Sequence, residues 1–560
     1  MPIPNRTTDT TADRTPSPRA DVCIVGAGVA GGLVAAQLAT AGFDVVVLDA
    51  GPRFDRSDDL ARMETGLRPV HSLGDVWEMG GPRDRYTTAG EVAYPLNDLR
   101  VKGVGGTTLA WGGYTPRLHE KDFEMQSRYG LASDWPISYD DLEPYYARAE
   151  AELGVAGDDD NPFVERSSPF QMPAFPPSYT DTLFRDACEE LGIAFHSLPK
   201  AICSEPYDGR SPCVGYSTCT PVCPSGAKYT GFVHIRKAEK AGARVIDRAT
   251  VRRLEHGADG KTLEAAVYAT PDGSQYRQEA RSFVLAAGGV ETARLLLLSA
   301  SDAHPDGLAN SSGAVGRNFM DHLYVNSFAT LTEPLQQEPI GYVTSQSQEF
   351  YDHDDPTPGS VMLTFGNIQS VKPIEVALRG GDAVLREDLD DTIMGNRWGD
   401  ELLDSLQSRI SSTPGELAIY GAVEMLPDPD NRITLDRSTT DAFGDPVPNV
   451  RLSPDAHART TGEFATEKQR EILRALPVPT ADISSSNTFG LGAHHMGTAR
   501  MGDDPETSVV DAELRTHDVD NLFVASSAAF TTGGAANPTL TIAALSLKAA
   551  DALERELRQE

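Results

Sequence analysis

The sequence is short of lysine and has no long apolar run. Lysine supplies 10 of the 49 basic residues, against 82 acidic residues, and the formal net charge is −33. A field of this sign repels the phosphates of nucleic acids and anionic lipids, because phosphate binding requires a basic face. No apolar run approaches the roughly 18 residues needed to cross a bilayer. These deficits exclude a nucleic-acid-binding protein and direct insertion into a membrane.

The excess of carboxylates indicates the conditions in which the chain works. At molar salt the repulsion between carboxylates is screened within about 3 Å. The charge therefore predicts a halophilic protein in a salty cytoplasm, with an ordinary acidic protein as the alternative. Residues 1–17 are polar and lack the apolar stretch of a secretory signal. They predict a disordered N-terminus and a cytoplasmic location.

Cysteine is scarce and unevenly placed. Four of the six cysteines crowd into the 21 residues from 203 to 223, whereas a disulfide framework would scatter them. Cys213, Cys219 and Cys223 follow C-x5-C-x3-C spacing. Thiolates so close together suit an iron–sulfur cluster, and a zinc site or free thiols are the alternatives. Cys23 and Cys188 lie in apolar patterns that predict core positions.

A strand–turn–helix pattern near the start predicts a dinucleotide site. Residues 21–25 (DVCIV) are typical of a buried strand, and Gly26, Gly28 and Gly31 follow in G-x-G-x-x-G spacing. Glycines at these positions permit a tight turn and close backbone approach, so the next helix N-terminus can meet a pyrophosphate. Asp49 ends the following apolar run, where its carboxylate can accept hydrogen bonds from a ribose. The motif by itself does not distinguish NAD from FAD.

The C-terminal region predicts the other half of the site. Residues 494–502 read HHMGTARMG, and NLFVA at 521–525 predicts a strand that leads into a Gly-rich turn at Ser526. A helix is predicted from about Thr539, with Asn537 two residues before it. Proline between them is favoured at a helix start, and the helix N-terminus stabilises negative charge on a bound group.

Ordered blocks along nearly the whole chain resemble the glucose–methanol–choline (GMC) oxidoreductase family. With the N-terminal glycines and the HHMGTARMG and NPTLT segments, these blocks are VKGVGGTTLAWGGYTPR (101–117), SDWPISYDDLEPYYARAEAELGV (133–155), FVLAAGGVETARLLLLS (283–299) and VGRNFMDH (315–322). The resemblance implies bound FAD and oxidation of a CH–OH group of an alcohol, sugar or polyol by hydride transfer to flavin.

The block at 101–117 resembles the family's second flavin-contacting loop, which makes Gly105, Gly106 and Thr107 candidate cofactor-binding residues, along with Ser526. Some relatives attach FAD covalently through a histidine in this loop. Ala110 stands at that place here, and no histidine occurs between 101 and 118. The resemblance therefore implies noncovalent FAD.

The resemblance also implies the catalytic residues. His494 holds the position of the family's catalytic histidine, and Asn537 holds that of its partner, which is Asn or His in relatives. A hydride leaves an alcohol carbon more easily as the hydroxyl proton departs, so a neutral imidazole must accept that proton. A second group holds the substrate oxygen. His495 should point elsewhere if the segment is extended, and is interpreted as a structural or supporting residue.

The cysteine segment resembles the catalytic subunits of bacterial FAD-dependent sugar dehydrogenases of the glucose, sorbitol and gluconate types. Several of those carry an iron–sulfur cluster, but they tend to have adjacent cysteines where Val214 follows Cys213 here. The resemblance favours a dehydrogenase that passes electrons to an acceptor or a small partner subunit, and it leaves export together with such a subunit open. An oxidase of the same fold that releases peroxide and a flavin-containing lyase are the alternatives.

The expected fold class is α/β (α+β overall), with a Rossmann-like FAD-binding domain interleaved with a substrate domain built on an antiparallel sheet. The runs LYVNSFATL, GSVMLTF, GELAIYGAVEML and NRITLD predict that sheet, with one wet face. Long loops are predicted over 340–410. Three FAD-binding segments are predicted at 18–120, 225–325 and 490–560, the last with the catalytic histidine and asparagine. The other predicted segments are 1–17 (disordered), 121–224 (connecting segment with the cysteines) and 326–489 (substrate domain).

Overall fold

The computed structural model describes residues 13–68, 72–335, 337, 340–367, 399–400, 403–404, 407 and 414–559. The predicted disordered stretch covers residues 1–17, and its residues 1–12 lie outside the described residues. Residues 13–17 instead pack against the cofactor-binding domain, because the Arg14 guanidinium donates to the Asp247 carbonyl at 3.0 Å and the Ser17 amide donates to Gln278 at 2.8 Å. The structure gives residues 13–17 these contacts, whereas the sequence predicts disorder over the whole of 1–17. Among the described residues, no helix combines the length and apolar character that a membrane crossing requires.

The strands are β1 Ala20–Val25, β2 Val45–Leu48, β3 Thr87–Gly90, β4 His196–Ser197, β5 Arg244–Ile246, β6 Thr250–His256, β7 Leu263–Ala269, β8 Gln275–Leu285, β9 Leu323–Leu331, β10 Ser345–Ser347, β11 Val361–Phe365, β12 Glu416–Val423, β13 Arg432–Thr440, β14 Pro446–Leu452, β15 Thr480–Ser485, β16 Gly490–Leu491 and β17 Leu522–Val524.

The α-helices within the described residues are α1 Val29–Thr40, α2 Asp59–Gly66, α3 Leu73–Trp77, α4 Glu120–Phe123, α5 Met125–Tyr129, α6 Tyr139–Leu153, α7 Tyr179–Leu191, α8 Phe232–Lys240, α9 Gly288–Leu298, α10 Ala456–Arg474 and α11 Thr539–Gln559.

The cofactor-binding sheet has the strand order β5-β2-β1-β8-β7-β6, and β17 also pairs with β8. Its strands β5, β2, β1 and β17 run parallel to one another and to the C-terminal half of β8. β1 and β2 are almost entirely buried apolar runs, as expected for parallel strands covered on both faces. α1 packs against α8 and α11 on one face. The Rossmann-like domain predicted from the glycine motif is confirmed.

The second sheet has the order β15-β9-β12-β11-β10-β4, with β16 also paired to β9, and its ladders are antiparallel. Burial alternates strictly along β9. One face, with Leu323 and Val325, packs into an apolar cluster with residues of α7 and α10. The other face, with Tyr324 and Asn326, lines a cavity. Two-fold periodicity in the sequence thus places alternate side chains towards the core and towards the site.

One predicted strand belongs elsewhere. The alternation in NRITLD predicts a strand of the substrate sheet, but β13 pairs with β14, and β14 pairs with β3 in a separate three-stranded sheet. The alternation in this run shows that one face is buried. It does not show which partner strand covers the hydrogen-bonding edge, which depends on contacts far along the chain.

Candidate functional site

Two joined cavities lie where the parallel strands end. The first has a volume of about 260 Å³ and is lined by the turn after β1, the end of β2 and the start of α9. The second, of about 750 Å³, lies between the second sheet and the loop at 107–114. Thr107, Trp111 and His494 line both cavities. A ligand in the first cavity can therefore meet a molecule in the second one at this junction.

The three glycines of the turn have different structural roles. Gly26 has φ of +108°, and a Cβ there would lie 2.4 Å from the Ala286 carbonyl oxygen. Gly28 lines the first cavity and has room, since its Cβ would lie 3.8 Å from the nearest atom. Gly31 is absent from the cavity wall, and a Cβ there would lie 1.9 Å from the Gly26 carbonyl oxygen. Gly31 therefore allows α1 to pack against the turn.

Asp49 lies at the end of β2 on the wall of the first cavity. Its Oδ2 accepts from the Ala27 amide at 2.8 Å, and its Oδ1 accepts from the Gly51 amide at 2.9 Å. Burial raises the pKa of this carboxyl, and the two backbone donors oppose that shift. Each carboxylate oxygen keeps a lone pair for a further donor such as a ribose hydroxyl.

The loop predicted to contact flavin crosses both cavities. The Gly105 amide donates to the Ala27 carbonyl at 2.8 Å, which ties this loop to the glycine turn. Gly106 and Thr107 line the first cavity, and Gly105 does not. Ser526, from the strand end at β17, lines it as well. The predicted cofactor residues are thus brought together, with Gly31 and Gly105 shaping the backbone behind the wall.

A buried lysine, Lys228, donates hydrogen bonds to backbone carbonyls of the same loop. The Lys228 ammonium donates to the carbonyl oxygens of Leu109 at 3.0 Å and Trp111 at 2.8 Å, and also to that of Cys219. Its side chain is 2 % exposed, and burial lowers its pKa to about 8. Lys228 therefore joins the loop at 105–111 to the cysteine segment.

His494 and Asn537 face one another at the junction of the cavities. The Asn537 amide nitrogen lies 3.2 Å from His494 Nε2. The backbone amide of His494 donates to the Asp321 side chain at Oδ1 at 2.8 Å, and nearby Met496 exchanges backbone hydrogen bonds with Met320. Asn537 lies two residues before α11 and is 8 % exposed. The two candidate catalytic residues, 43 positions apart, are therefore in direct contact.

The two adjacent histidines occupy different surroundings. His494 lines both cavities, whereas His495 is found only on the wall of the first. The His495 ring packs near Tyr94 and Phe319, with centroid distances of 5.7 and 6.1 Å. Its buried Nε2 has no hydrogen-bond partner within the described residues. His495 therefore lies on the cofactor side and His494 lies between the two cavities.

The site keeps its histidines neutral. Burial, with smaller effects of His322 and His495, holds the pKa of His494 well below its usual range. Burial likewise lowers the pKa of His495 to about 3. A neutral imidazole has one ring nitrogen free to accept a proton, which is the form that alcohol oxidation requires at neutral pH.

The second cavity combines aromatic walls with polar groups. Its aromatic lining comes from Trp111, Tyr114, Tyr324, Tyr342 and Tyr420, and its polar lining includes Asp98, Thr220, Asn326 and Thr364. Tyr114 and Tyr342 lie nearly parallel, with ring centroids 6.5 Å apart. The Tyr324 hydroxyl also interacts with the Asn537 side chain. Flat apolar faces with interspersed hydrogen-bonding groups suit a compact molecule that carries several hydroxyls.

The cysteines share one small buried cluster. Cys203 and Cys219 lie in it, and Cys213 and Cys223 pack against it. The Cys219 thiol donates to Cys223, which lowers the pKa of Cys223 and raises that of Cys219. No group of three or more His, Cys, Asp or Glu side chains in the described ranges is placed to hold a metal ion. The described geometry therefore does not support the predicted iron–sulfur cluster.

Sequence reasoning missed several residues of the site. His322 and Tyr324 approach His494 and Asn537, and the tyrosines and tryptophan of the second cavity come from four separate segments. His322 ends the block VGRNFMDH, which the resemblance placed in the cofactor-binding domain without giving it a role. For Tyr324 the alternation along β9 carried the signal, since it places this side chain on the face opposite the core.

Family models match most of the chain. Residues 92–324 and 427–546 each match a model described as GMC oxidoreductase, and residues 24–79 match an NAD(P)-binding Rossmann-like domain. The first two matches together span more than half of the chain.

Similar proteins are known at full length. The chain is 36 % identical to the fructose dehydrogenase large subunit of Gluconobacter japonicus, over 96 % of this chain and 98 % of that protein. It is 31 % identical to the 2-methyl-1,2-propanediol dehydrogenase of Mycolicibacterium austroafricanum, over 98 % and 96 %. The crystal structure of pyridoxine 4-oxidase from Mesorbium loti has the same fold, with a TM-score of 0.63 and 18 % identity over 96 % of this chain and 99 % of that one.

Proposed function

The chain belongs to the GMC oxidoreductase family and is a FAD-dependent oxidoreductase of CH–OH donors, and from this premise we propose that it is a dehydrogenase of a sugar or polyol. The observation that carries the proposal is the 750 Å³ cavity in which tyrosines and hydrogen-bonding groups surround the His494–Asn537 pair. The dehydrogenase names of two full-length relatives agree with it.

The first cavity offers the groups that FAD requires. The N-terminus of α1 and the open wall at Gly28 suit a pyrophosphate, and Asp49 suits a ribose. The unpartnered Nε2 of His495 on the same wall is a polar atom that a bound group can satisfy. When bound, FAD supplies the acceptor for the hydride that leaves the substrate carbon.

The protein's own residues then handle the hydroxyl. A substrate oxygen placed between His494 Nε2 and the Asn537 amide nitrogen, now 3.2 Å apart, would donate to the first and accept from the second. The proton moves from the hydroxyl to Nε2 as negative charge develops on the oxygen, and the Asn537 N–H stabilises that charge.

Anaerobic addition of sugars, polyols and simple alcohols to the FAD-loaded protein tests the proposal. Bleaching of the flavin by a polyhydroxylated compound, and not by a monohydric alcohol of similar size, is the supporting result. Flavin that no CH–OH compound bleaches would favour the lyase alternative. Peroxide released stoichiometrically in air would favour the oxidase alternative.

FAD is expected to be noncovalent. Ala110 carries no nucleophile at the place where some relatives attach flavin, and the described loop around it contains no histidine. Acid precipitation should leave the yellow colour in the supernatant. The same treatment in the presence of a protease separates trapped from attached flavin, and colour bound to a peptide would contradict the expectation.

The iron–sulfur cluster at Cys213, Cys219 and Cys223 stays a prediction, and its support is the spacing of the thiols along the chain. Anaerobically prepared protein with about three or four iron and sulfide ions per chain would establish the cluster. Protein with neither iron nor zinc would leave free thiols. We propose in addition that the enzyme passes its electrons to a small partner subunit or to another electron acceptor.

We also propose that the chain is halophilic and works in the cytoplasm, on the ground of its net charge of −33. Molar KCl should raise the melting temperature relative to dilute buffer, because it screens the repulsion between carboxylates. An equal osmolarity of sucrose controls for exclusion of solute from the surface. A melting temperature in KCl that equals or falls below the value in dilute buffer would contradict the halophilic interpretation.

A further inference from the structure

His322 lies directly behind the candidate base. Its Nδ1 is 2.9 Å from Nδ1 of His494, and its Nε2 is 3.1 Å from the Gly533 carbonyl oxygen. Its side chain is 1 % exposed. Both ring nitrogens of His322 are therefore engaged, one by the catalytic histidine and one by the loop that precedes Asn537.

The hydrogen-bond partners of the two rings determine which ring nitrogens carry a hydrogen. A carbonyl oxygen only accepts, so Nε2 of His322 carries a hydrogen. Burial lowers the pKa of His322 to about 4, so the ring is neutral at pH 7 and its Nδ1 is bare. The 2.9 Å contact then requires that Nδ1 of His494 be the donor. Since His494 is neutral too, its Nε2 is bare and points to the Asn537 amide.

We propose that His322 is a positioning residue that fixes His494 in the tautomer with hydrogen on Nδ1, so that Nε2 is free to accept the hydroxyl proton. This inference rests on the proposed function of His494 as the base. His322 makes no contact with the reacting atoms in this account, and acts through the orientation and tautomer of His494.

The local surroundings without His322 would favour the other tautomer. Asn537 Oδ1 is buried and has no hydrogen-bond partner within the described residues. Rotation of this amide by half a turn would present Oδ1 as an acceptor to a protonated Nε2 of His494, and would move the amide nitrogen to the unpartnered position. That arrangement is inactive, because a protonated Nε2 cannot take the hydroxyl proton. The contact with His322 is the feature that opposes it.

The backbone holds His322 and its partners at fixed distances. The Gly492 amide donates to the His322 carbonyl at 2.9 Å, and neighbouring Asp321 accepts from the His494 amide. The loop after Gly533 is anchored on Tyr351, whose hydroxyl accepts from the amides of Ala535 and Ala536 at 3.1 and 3.2 Å. The acceptor for His322 Nε2 is thus built into the loop that presents Asn537.

Two substitutions separate this role from simple packing. His322→Leu fills much of the space and leaves the His494 Nδ1–H with no acceptor. We expect flavin reduction by substrate to slow about 10- to 100-fold, the range that a buried unsatisfied donor implies. His322→Asn places an amide oxygen near the position of Nδ1, and should recover most of the lost rate. His196→Leu is the control, since it removes another histidine that is 1 % exposed from the edge of the substrate sheet.

Nitrogen-15 NMR of histidine-labelled enzyme reads the tautomer without turnover. The signals of His494 are assigned by their loss in His494→Gln. We expect a bare Nε2 and a protonated Nδ1 in the natural enzyme and in His322→Asn, and a protonated Nε2 in His322→Leu. A protonated Nε2 in the natural enzyme would overturn the inference even if the leucine variant fails to fold.

Kinetics supply the remaining outcomes. A leucine variant that reduces flavin as fast as the natural enzyme, or an asparagine variant as slow as the leucine variant, would also overturn the inference. Failure of the proposed function is distinguishable, because His494→Gln would then keep its full rate with every substrate while the NMR result on the resting enzyme stands unchanged.

Discussion

Replacing His494 by alanine is expected to slow flavin reduction at least about a hundredfold while FAD stays bound. A general base contributes about 10²- to 10⁴-fold in rate, and His494 is the imidazole that lines both cavities and contacts Asn537. Stopped-flow mixing of FAD-loaded enzyme with substrate under anaerobic conditions measures the step directly. The absorbance of bound flavin before mixing verifies that cofactor occupancy is unchanged.

Two variants calibrate this result. Asn537→Ala should also slow the step, but less, because it removes positioning and charge stabilisation and leaves the proton acceptor in place. His495→Ala removes the adjacent ring, which lies on the cofactor side, and should affect the rate less than His494→Ala does. If His495→Ala is the slower enzyme, the base has been assigned to the wrong histidine. If neither histidine matters, the base lies elsewhere in the cavity.

Replacing Gly31 by alanine is expected to destabilise the fold by about 3 kcal/mol, at the upper end of the usual cost of overpacking. The added Cβ would lie 1.9 Å from the Gly26 carbonyl oxygen and 3.3 Å from Ala286 Cβ, so α1 must move away from the turn. The backbone carbonyl of the turn cannot give way as a flexible side chain would. Chemical denaturation of the protein stripped of FAD, followed by circular dichroism, measures the loss.

Gly28→Ala is the matched control, with the same substitution three residues earlier in the same motif. Its φ is −79°, and its Cβ would lie 3.8 Å from the nearest atom, an ordinary contact. The apoprotein should therefore keep the stability of the natural chain within about 1 kcal/mol. Equal losses of unfolding free energy in the two variants would show that the motif tolerates a methyl group equally at both positions. That result would contradict the different roles of Gly28 and Gly31.

The sequence determined those features that depend on neighbouring residues. The unbroken apolar runs of β1 and β2 and the glycines between β1 and α1 specify a buried parallel strand, a turn and a helix, because each is a local steric or burial requirement. Alternation along β9 placed Tyr324 and Asn326 on the open face. The start of α11 at Thr539 follows from the proline before it. The candidate pair of His494 and Asn537 came from the family resemblance.

Tertiary structure decided what depends on pairing between distant segments. The strand β13 joined a separate sheet, since alternation specifies a buried face and not a partner edge. Residues 13–17 contact the cofactor-binding domain through Arg14 and Asp247, 233 positions apart. Likewise, His322 reached His494 across 172 residues, because antiparallel pairing of Met320 with Met496 brings the two segments side by side. Spacing along the chain carries no information about such contacts, since each depends on how two distant segments pack against one another in the folded protein.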